Sequence, residues 1–518
     1  MVIAITFSLL LITAIGLGLL RLSRPNFSYA WPIVVVGSFL AWISTFLWQI
    51  TLPVKIVLFD YSYRGAINYS FSLSADGMNF PYALGLTSLL LTAILVCAAR
   101  AREANPLGWV SMLALSIVGL LAVLADNPVT LVIAWVLLDI AGLIGTLNAG
   151  SDLRLSKSAV LAYSARVIAI GLVLWAGILT PLPDDSFSHS EIPENTGYIL
   201  ILAILLRSSA NLIRLPYSKD PAIRHEYESF HQLVSSSVTL VLLSHMTLDS
   251  SNPEFTSLLI IFLALIGLSM IYGWLRSPRD TVSQPYWMTG LVALAIAASL
   301  LGNPTGSAAW GSATLFSGGL LFLYTSRNRI LTVALVVAAY SLSTLPYSLT
   351  ATAWRDLNPN SWIILLFMLP LQSLLTAGYV RSILKDEKKN LDLEPRWVKV
   401  FYPMGLAALA STALALGFTG WIGAGNVGAV IPALIAAAIT VTLSLLLTRI
   451  PVPPPLENQM DRRPAAWAEA VSSLGWGLFH TARRLIDILT ATFEGDGGVL
   501  WTILLLIVFI SFLGSYAF

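Results

Sequence analysis

The sequence predicts an all-α polytopic membrane protein with about sixteen transmembrane helices. Of its 518 residues, 57% are hydrophobic and only 11% are charged, and the mean hydropathy is +0.79. Soluble domains carry about 25% charged residues, so this composition excludes a soluble globular protein. Apolar stretches of roughly 20 residues, the length that crosses a bilayer as a helix, recur along the whole chain.

The predicted spans follow one another with short polar turns between them. They cover residues 2–21, 29–51, 80–99, 107–125, 128–149, 157–180, 197–215, 228–247, 256–275, 284–301, 305–326, 330–347, 361–384, 397–418, 424–448 and 498–517. The first apolar run lacks the basic region that precedes a signal-peptide core, and it is too long for one. We therefore interpret it as a membrane helix.

The turns alternate in charge. Most basic residues fall in the odd-numbered turns, such as Arg21 and Arg24 after the first span, whereas the even-numbered turns carry acids such as Asp184 and Glu191. Because basic loops stay on the cytoplasmic side, this alternation predicts that both termini lie outside.

Three segments interrupt the pattern of helix and turn. Residues 52–79 alternate as strands do around Arg64 and Gly65, which predicts an external β-hairpin. Residues 462–492 are amphipathic and predict a helix in the inner interface. Pro346 must break the helix over residues 330–347. We predict a transmembrane core over residues 1–449, and a tail over 450–518 with a proline-rich linker, the interfacial helix and a final span.

Three charged residues lie at one depth in neighbouring spans. At the helical rise, Asp139 lies about 18 Å and Arg207 about 15 Å from the outer ends of their spans, and Arg166 lies about 14 Å from an inner end. Charges at this depth must be paired, so we predict a mutual cluster. It could serve an ion pathway or act as a static bridge. Arginine does not release its proton, which favours the static bridge.

Several sites are not expected on this chain. It has no Walker A motif, no CxxC pair and no His/Cys set with metal-ligand spacing, so we predict no cofactor, no metal and no catalytic residue. The single cysteine, Cys97, lies in an apolar run and is interpreted as a packing residue. No nucleic-acid partner is expected.

The order of motifs resembles the antiporter-like subunits of respiratory complex I and of Mrp-type antiporters. The stretches that carry the resemblance are FSLSADGMNFPYALGLTSLLL, NPVTLVIAWVLLDIAGLIG, AYSARVIAIGL, LFSGGLLFLYTS and LPYSLTATAWRD. It implies two inverted five-helix repeats, over about 107–247 and 256–384, each with a broken helix. It also implies the plasma membrane of a prokaryote.

The sequence departs from the family where the family moves protons. Val136 follows Trp135 where the family has a glutamate, and Asp139 stands one turn deeper. Leu205 occupies the place of the lysine in helix seven, and Arg207 lies two residues deeper. The remaining relay positions fall on Ala169, Thr314, Gly318, the run Val234-Ser235-Ser236-Ser237, and Arg355 beside Asp356. The lysine–histidine relay of the family is therefore largely absent.

We therefore expect a membrane subunit of a complex I-like NADH/quinone oxidoreductase-type assembly, embedded in the bilayer beside other integral membrane subunits. If it conducts protons, Asp139 titrates, Arg166 and Arg207 modulate it, and Arg355 and Asp356 lie near the outer exit. Two alternatives stay open. One is a structural subunit that conducts nothing, and the other is the membrane half of an inorganic-carbon or cation transporter.

Overall fold

A computed structural model describes most of the chain up to residue 449. The chain divides into two compact units, Met1–Pro455 and Leu456–Phe518. The described residues are 2–24, 29–63, 67–100, 104–149, 153–179, 191–192, 194–213, 215, 217–218, 220, 222–248, 253–277, 280–327, 329–355, 362–384, 389–391, 394–421, 429–449, 480, 484 and 487. The predicted interfacial helix and final span lie outside them, apart from these last three positions.

The described part of the chain folds into fifteen α-helices, which confirms the predicted fold class. They are α1 (Val2–Ser23), α2 (Ala30–Phe46), α3 (Phe80–Val96), α4 (Pro106–Val123), α5 (Pro128–Ala149), α6 (Leu153–Leu179), α7 (Glu194–Ala210), α8 (Arg224–Ser244), α9 (Pro253–Arg276), α10 (Asp280–Leu300), α11 (Pro304–Phe322), α12 (Arg329–Ser341), α13 (Trp362–Leu384), α14 (Arg396–Ala415) and α15 (Val430–Arg449).

Ten helical segments within the described residues are long and apolar enough to cross a membrane. Helices α8, α10 and α11 are long enough but too polar to be among them. The residues of α8 and α11 are nevertheless almost all buried by other helices. A helix without a lipid-facing surface can carry serine and glycine, because its polar groups find partners inside the protein.

Helices α4–α8 and α9–α13 form two groups with the same pattern of contacts, here called the first and second helix groups. In each group, helices that are consecutive in sequence contact one another, and the first helix also contacts the last. Each group contains five helices. Because five is odd, a chain that crosses the bilayer once with every helix begins its second group on the side of the membrane opposite to where it began the first. The two inverted repeats that the sequence suggests would each comprise one of these groups, and their inversion stays a prediction.

Each group contains one helix that stops early. Helix α12 ends at Ser341, and Thr344 and Tyr347 follow with φ of 57° and 61°, on either side of Pro346. Helix α7 ends at Ala210 although its span contains no proline, and irregular backbone leads from there to α8. Both ends leave backbone groups that need polar partners within the protein.

A β-hairpin lies before α3, in the segment where the alternation predicts one. Strand β1 (Val54–Tyr63) pairs with β2 (Ile67–Ala75) in antiparallel register. Lys55 Nζ lies 2.7 Å from Asp126 Oδ2, and the Ser72 hydroxyl donates to the same oxygen. These contacts fix the hairpin to the segment between α4 and α5. Two two-residue pairings complete the described strands: β3 (Glu191–Ile192) with β4 (Thr247–Leu248), and β5 (Ser326–Arg327) with β6 (Lys389–Asn390).

Candidate functional site

Asp139, Arg166 and Arg207 come together in the first helix group and are here called the ion triad. Arg207 donates from Nη1 to Asp139 Oδ2 at 2.7 Å and from Nη2 to Oδ1 at 2.9 Å. Arg166 donates from Nη1 to Asp139 Oδ1 at 3.4 Å. Arg207 therefore forms the short two-point contact of a charge-assisted pair, and Arg166 adds a longer third contact.

The triad is almost closed to its surroundings. The side chains of Arg166 and Arg207 are 1% and 0% exposed, and that of Asp139 is 10% exposed. Helices α5, α6 and α7 supply one member each, and they pack against one another in chain order. Because both cations are almost completely buried, they have lost their contacts with water, and the carboxylate of Asp139 offsets part of that loss.

Aromatic rings cover the two guanidinium groups. The Cζ atom of Arg207 lies 4.4 Å from the centre of the Trp135 ring, and that of Arg166 lies 5.1 Å from the Tyr163 ring. Trp135 precedes Asp139 by one helical turn, so α5 carries both the carboxylate and the ring. Such contacts stabilise a cation that has been removed from water.

The early end of α7 extends the site. Asn211, the first residue after α7, accepts a hydrogen bond from Arg166 Nη2 at 3.0 Å and donates to Ser236 Oγ at 3.0 Å. Tyr217, in the irregular segment, accepts from Arg166 Nη2 at 3.4 Å. Sequence reasoning missed both residues. The available signal was Asn211, a few residues before the Leu215-Pro216 step, since asparagine favours helix ends and turns.

His231 on α8 lies beside this network. Its ring stacks on Tyr217 with centroids 3.9 Å apart, and it is fully buried. A Cβ at Gly142 would lie 2.8 Å from His231 Nε2 and 3.0 Å from Tyr163 Oη, so only glycine allows α5 to pass this closely. The two ring nitrogens of His231 have no hydrogen-bond partner among the described residues.

Arg355, a further candidate residue, does not join the triad. Arg355 follows the break after α12 in the second helix group, and its side chain is exposed. Its backbone carbonyl accepts a hydrogen bond from Asn303 Nδ2. Asp356 lies outside the described residues. The pathway role that the sequence suggests for these two positions stays a prediction.

A neutral network occupies the second helix group at the corresponding broken helix. Trp354 Nε1 donates to Gln372 Oε1 at 2.7 Å, and Gln372 Nε2 donates to Thr344 Oγ1 at 2.9 Å. The Thr350 hydroxyl donates to the carbonyl of Ser341 at 2.8 Å. Among the side chains that are described between residues 253 and 384, no Asp, Glu, Lys, Arg or His is buried.

The chemistry open to the triad follows from these contacts. Arginine keeps its proton at physiological pH, so Asp139 is the triad member that could exchange one. Within the described part of the chain, no cluster of three His, Cys, Asp or Glu side chains could hold a metal ion.

No protein-family model matches this sequence, and no curated protein is similar enough to be a relative. Solved structures share its fold. A chain of the Mrp complex from Dietzia sp. DQ12-45-1b is 16% identical with a TM-score of 0.65, and the match covers 100% of this chain and 63% of that one. This chain therefore spans less than two thirds of the length of that chain.

Two further structures give similar matches. A chain of the membrane-bound sulfane sulfur reductase, an archaeal respiratory membrane complex, is 13% identical with a TM-score of 0.56, over 97% of this chain and 99% of that one. A chain of respiratory complex I from Thermus thermophilus is 16% identical with a TM-score of 0.54, over 84% and 99%. At these identities the similarity shows the fold, and for the fold the predicted resemblance is confirmed.

Proposed function

We propose that this chain is a membrane subunit of a complex I-like, ion-translocating assembly, with the antiporter-like fold and a reduced proton relay. It would lie in the plasma membrane of a prokaryote with both termini outside, beside other integral membrane subunits. The observation that carries the proposal is the match over 84% to 100% of the chain to three structures, each a chain of a larger complex.

The reduced relay is supported by the contrast between the two helix groups. The first group buries the ion triad and His231, whereas the described side chains of the second group bury only neutral polar residues. A proton relay needs groups that change protonation state, and hydroxyls and amides do not do so near neutral pH. Among the described side chains of the second group, a continuous row of titrating groups is therefore missing.

Membership of an assembly is tested by purifying the tagged full-length chain from its own host in mild detergent. We expect it to co-purify with further multi-span subunits and with a quinone-reducing module. Deleting the chain should then lower the quinone-linked proton uptake of inverted membrane vesicles. A chain that purifies alone, with unchanged proton uptake after its deletion, would refute the proposal.

A second candidate, a structural subunit that conducts nothing, is favoured by the two-point contact between Arg207 and Asp139. Asp139→Asn tests it, because the amide keeps the shape of the carboxylate and cannot carry its charge. If the pair is static, the number of protons moved per electron pair stays as in the wild type, although less assembled complex is recovered. A large fall in that number would identify Asp139 as a relay member. Arg224→Gln, which breaks an exposed ion pair, is the matched control.

A further inference from the structure

The ion triad carries one more positive charge than negative. Arg166 and Arg207 contribute two cations, and Asp139 contributes one carboxylate. No other carboxylate in the described part of the chain forms an ion pair with either arginine. Of the other buried carboxylates, Asp126 is engaged by Lys55 before α5 begins, and Glu226 lies in the first turn of α8 and forms no ion pair among the described residues. A net charge enclosed by helices in the middle of a bilayer is costly unless a counter-charge accompanies it.

The excess charge resides mainly on Arg166. Arg207 is neutralised by its two short contacts to Asp139, whereas Arg166 reaches that carboxylate only once, at 3.4 Å. The remaining hydrogen bonds of Arg166 go to Asn211 and Tyr217. These neutral oxygens satisfy its donors without balancing its charge. Arg166 Nε is also buried without a partner among the described residues.

His231 supplies a second and independent observation. Its ring is fully buried and lies against Tyr217, which itself accepts from Arg166. A neutral imidazole always has one nitrogen that donates, and buried donors ordinarily have acceptors. No side chain or backbone group that the structure describes accepts from it.

We propose that the ion triad binds one small monovalent inorganic anion of the halide class beside Arg166 and His231, the two residues that Tyr217 contacts. Arg166 supplies the opposite charge and His231 supplies a neutral N–H donor. A carboxylate from a neighbouring protein is a poorer candidate, because Arg166 and His231 are 1% and 0% exposed and a side chain could not enter without opening the helix packing. A small ion also has to displace part of this packing, but it displaces less than a side chain with its backbone would.

The test measures anion-dependent stability of the purified full-length chain in detergent. Thermal unfolding is followed while sodium chloride or sodium bromide replaces sodium gluconate at constant ionic strength. Because a ligand that binds only the folded state stabilises it, the midpoint should rise with chloride and bromide in a saturable manner. Arg166→Gln should abolish the rise. Arg224→Gln, which removes an exposed arginine on α8, should keep it.

A second variant keeps the proposal testable if Arg166→Gln does not fold. Asp139→Asn removes the competing negative charge, so the chloride concentration at half-saturation should fall by about tenfold. A purely structural triad would not produce that change. The proposal is overturned if wild-type midpoints are the same in chloride and gluconate, if Arg166→Gln retains the response, or if Asp139→Asn weakens it. None of these outcomes depends on whether the chain belongs to an assembly.

Discussion

The two helix groups place different chemistry at the same structural position. In the first group, the side chains of the segment after α7 contact a guanidinium group and an imidazole, since Asn211 accepts from Arg166 and Tyr217 stacks on His231. Arg166 in turn pairs with the carboxylate of Asp139. In the second group, the backbone after α12 is surrounded by Gln372, Trp354 and threonine hydroxyls. Since the two groups share one pattern of helix contacts, the fold does not require the charges.

The fold does require polar groups close to the helix ends that lie within the bilayer. A helix that stops inside a bilayer frees carbonyl and amide groups, and these must find partners within the protein. The second group meets this need with neutral side chains, since Gln372 donates to the Leu342 carbonyl and Thr350 to that of Ser341. The charges of the first group therefore add something that broken-helix architecture alone does not explain.

The largest effect is expected from Asp139→Leu. The substitution leaves two buried guanidinium groups without their carboxylate, and breaking a buried ion pair in this way costs about 3–5 kcal/mol. The loss should appear as a lower free energy of unfolding of the purified chain in detergent.

The matched control for Asp139→Leu replaces all three triad members by leucine and so makes the first group resemble the second. A buried ionic cluster can be replaced by apolar packing at little cost, so most of the stability should return. A triple variant as unstable as the single one would mean that the charges are themselves required for folding, and the contrast between the groups would fail.

A smaller effect is expected from Gln372→Leu in the second group. It removes the acceptor of Trp354 Nε1 and the donor to Thr344 Oγ1, and leaving buried neutral groups unpartnered costs about 1–3 kcal/mol. Unfolding of the purified chain provides the measurement. Thr440→Val on α15, which removes one bond within a helix, is the control. A loss as large as that for Asp139→Leu would show that neutral and charged networks stabilise this fold equally.

The sequence predicted the helices and the triad better than it predicted the surroundings of the triad. Apolar length and the alternation of loop charges are properties of local sequence, so the spans could be located before the structure was known. The depth of Asp139, Arg166 and Arg207 followed from the helical rise alone. The ending of α7 at Ala210 did not follow, because no proline signals it and the cause lies in tertiary contacts of Asn211.

His231 illustrates the same limit. It lies on a mostly polar stretch of α8, and only the close approach of α5 at Gly142 brings it beside the triad. The polar stretch itself was predicted as a membrane span, although its hydropathy is low. In the sequence, such a helix is recognised by its place between apolar spans. The residues that pack against it become known only from the structure.

The smallest effect is expected from Arg224→Gln, which measures how much an arginine–carboxylate pair exposed to water contributes to the free energy of unfolding. Arg224 Nε lies 2.9 Å from Glu228 Oε1, much as Arg207 lies from Asp139, but the Arg224 side chain is 54% exposed. An exposed pair one turn apart on a helix contributes only about 0.3–0.5 kcal/mol, and salt weakens it further. The free energy of unfolding should therefore change little, and its difference from the wild type should shrink further as the ionic strength rises. A loss above 1 kcal/mol would mean that pairing of charges, rather than their burial, sets the stability of the ion triad.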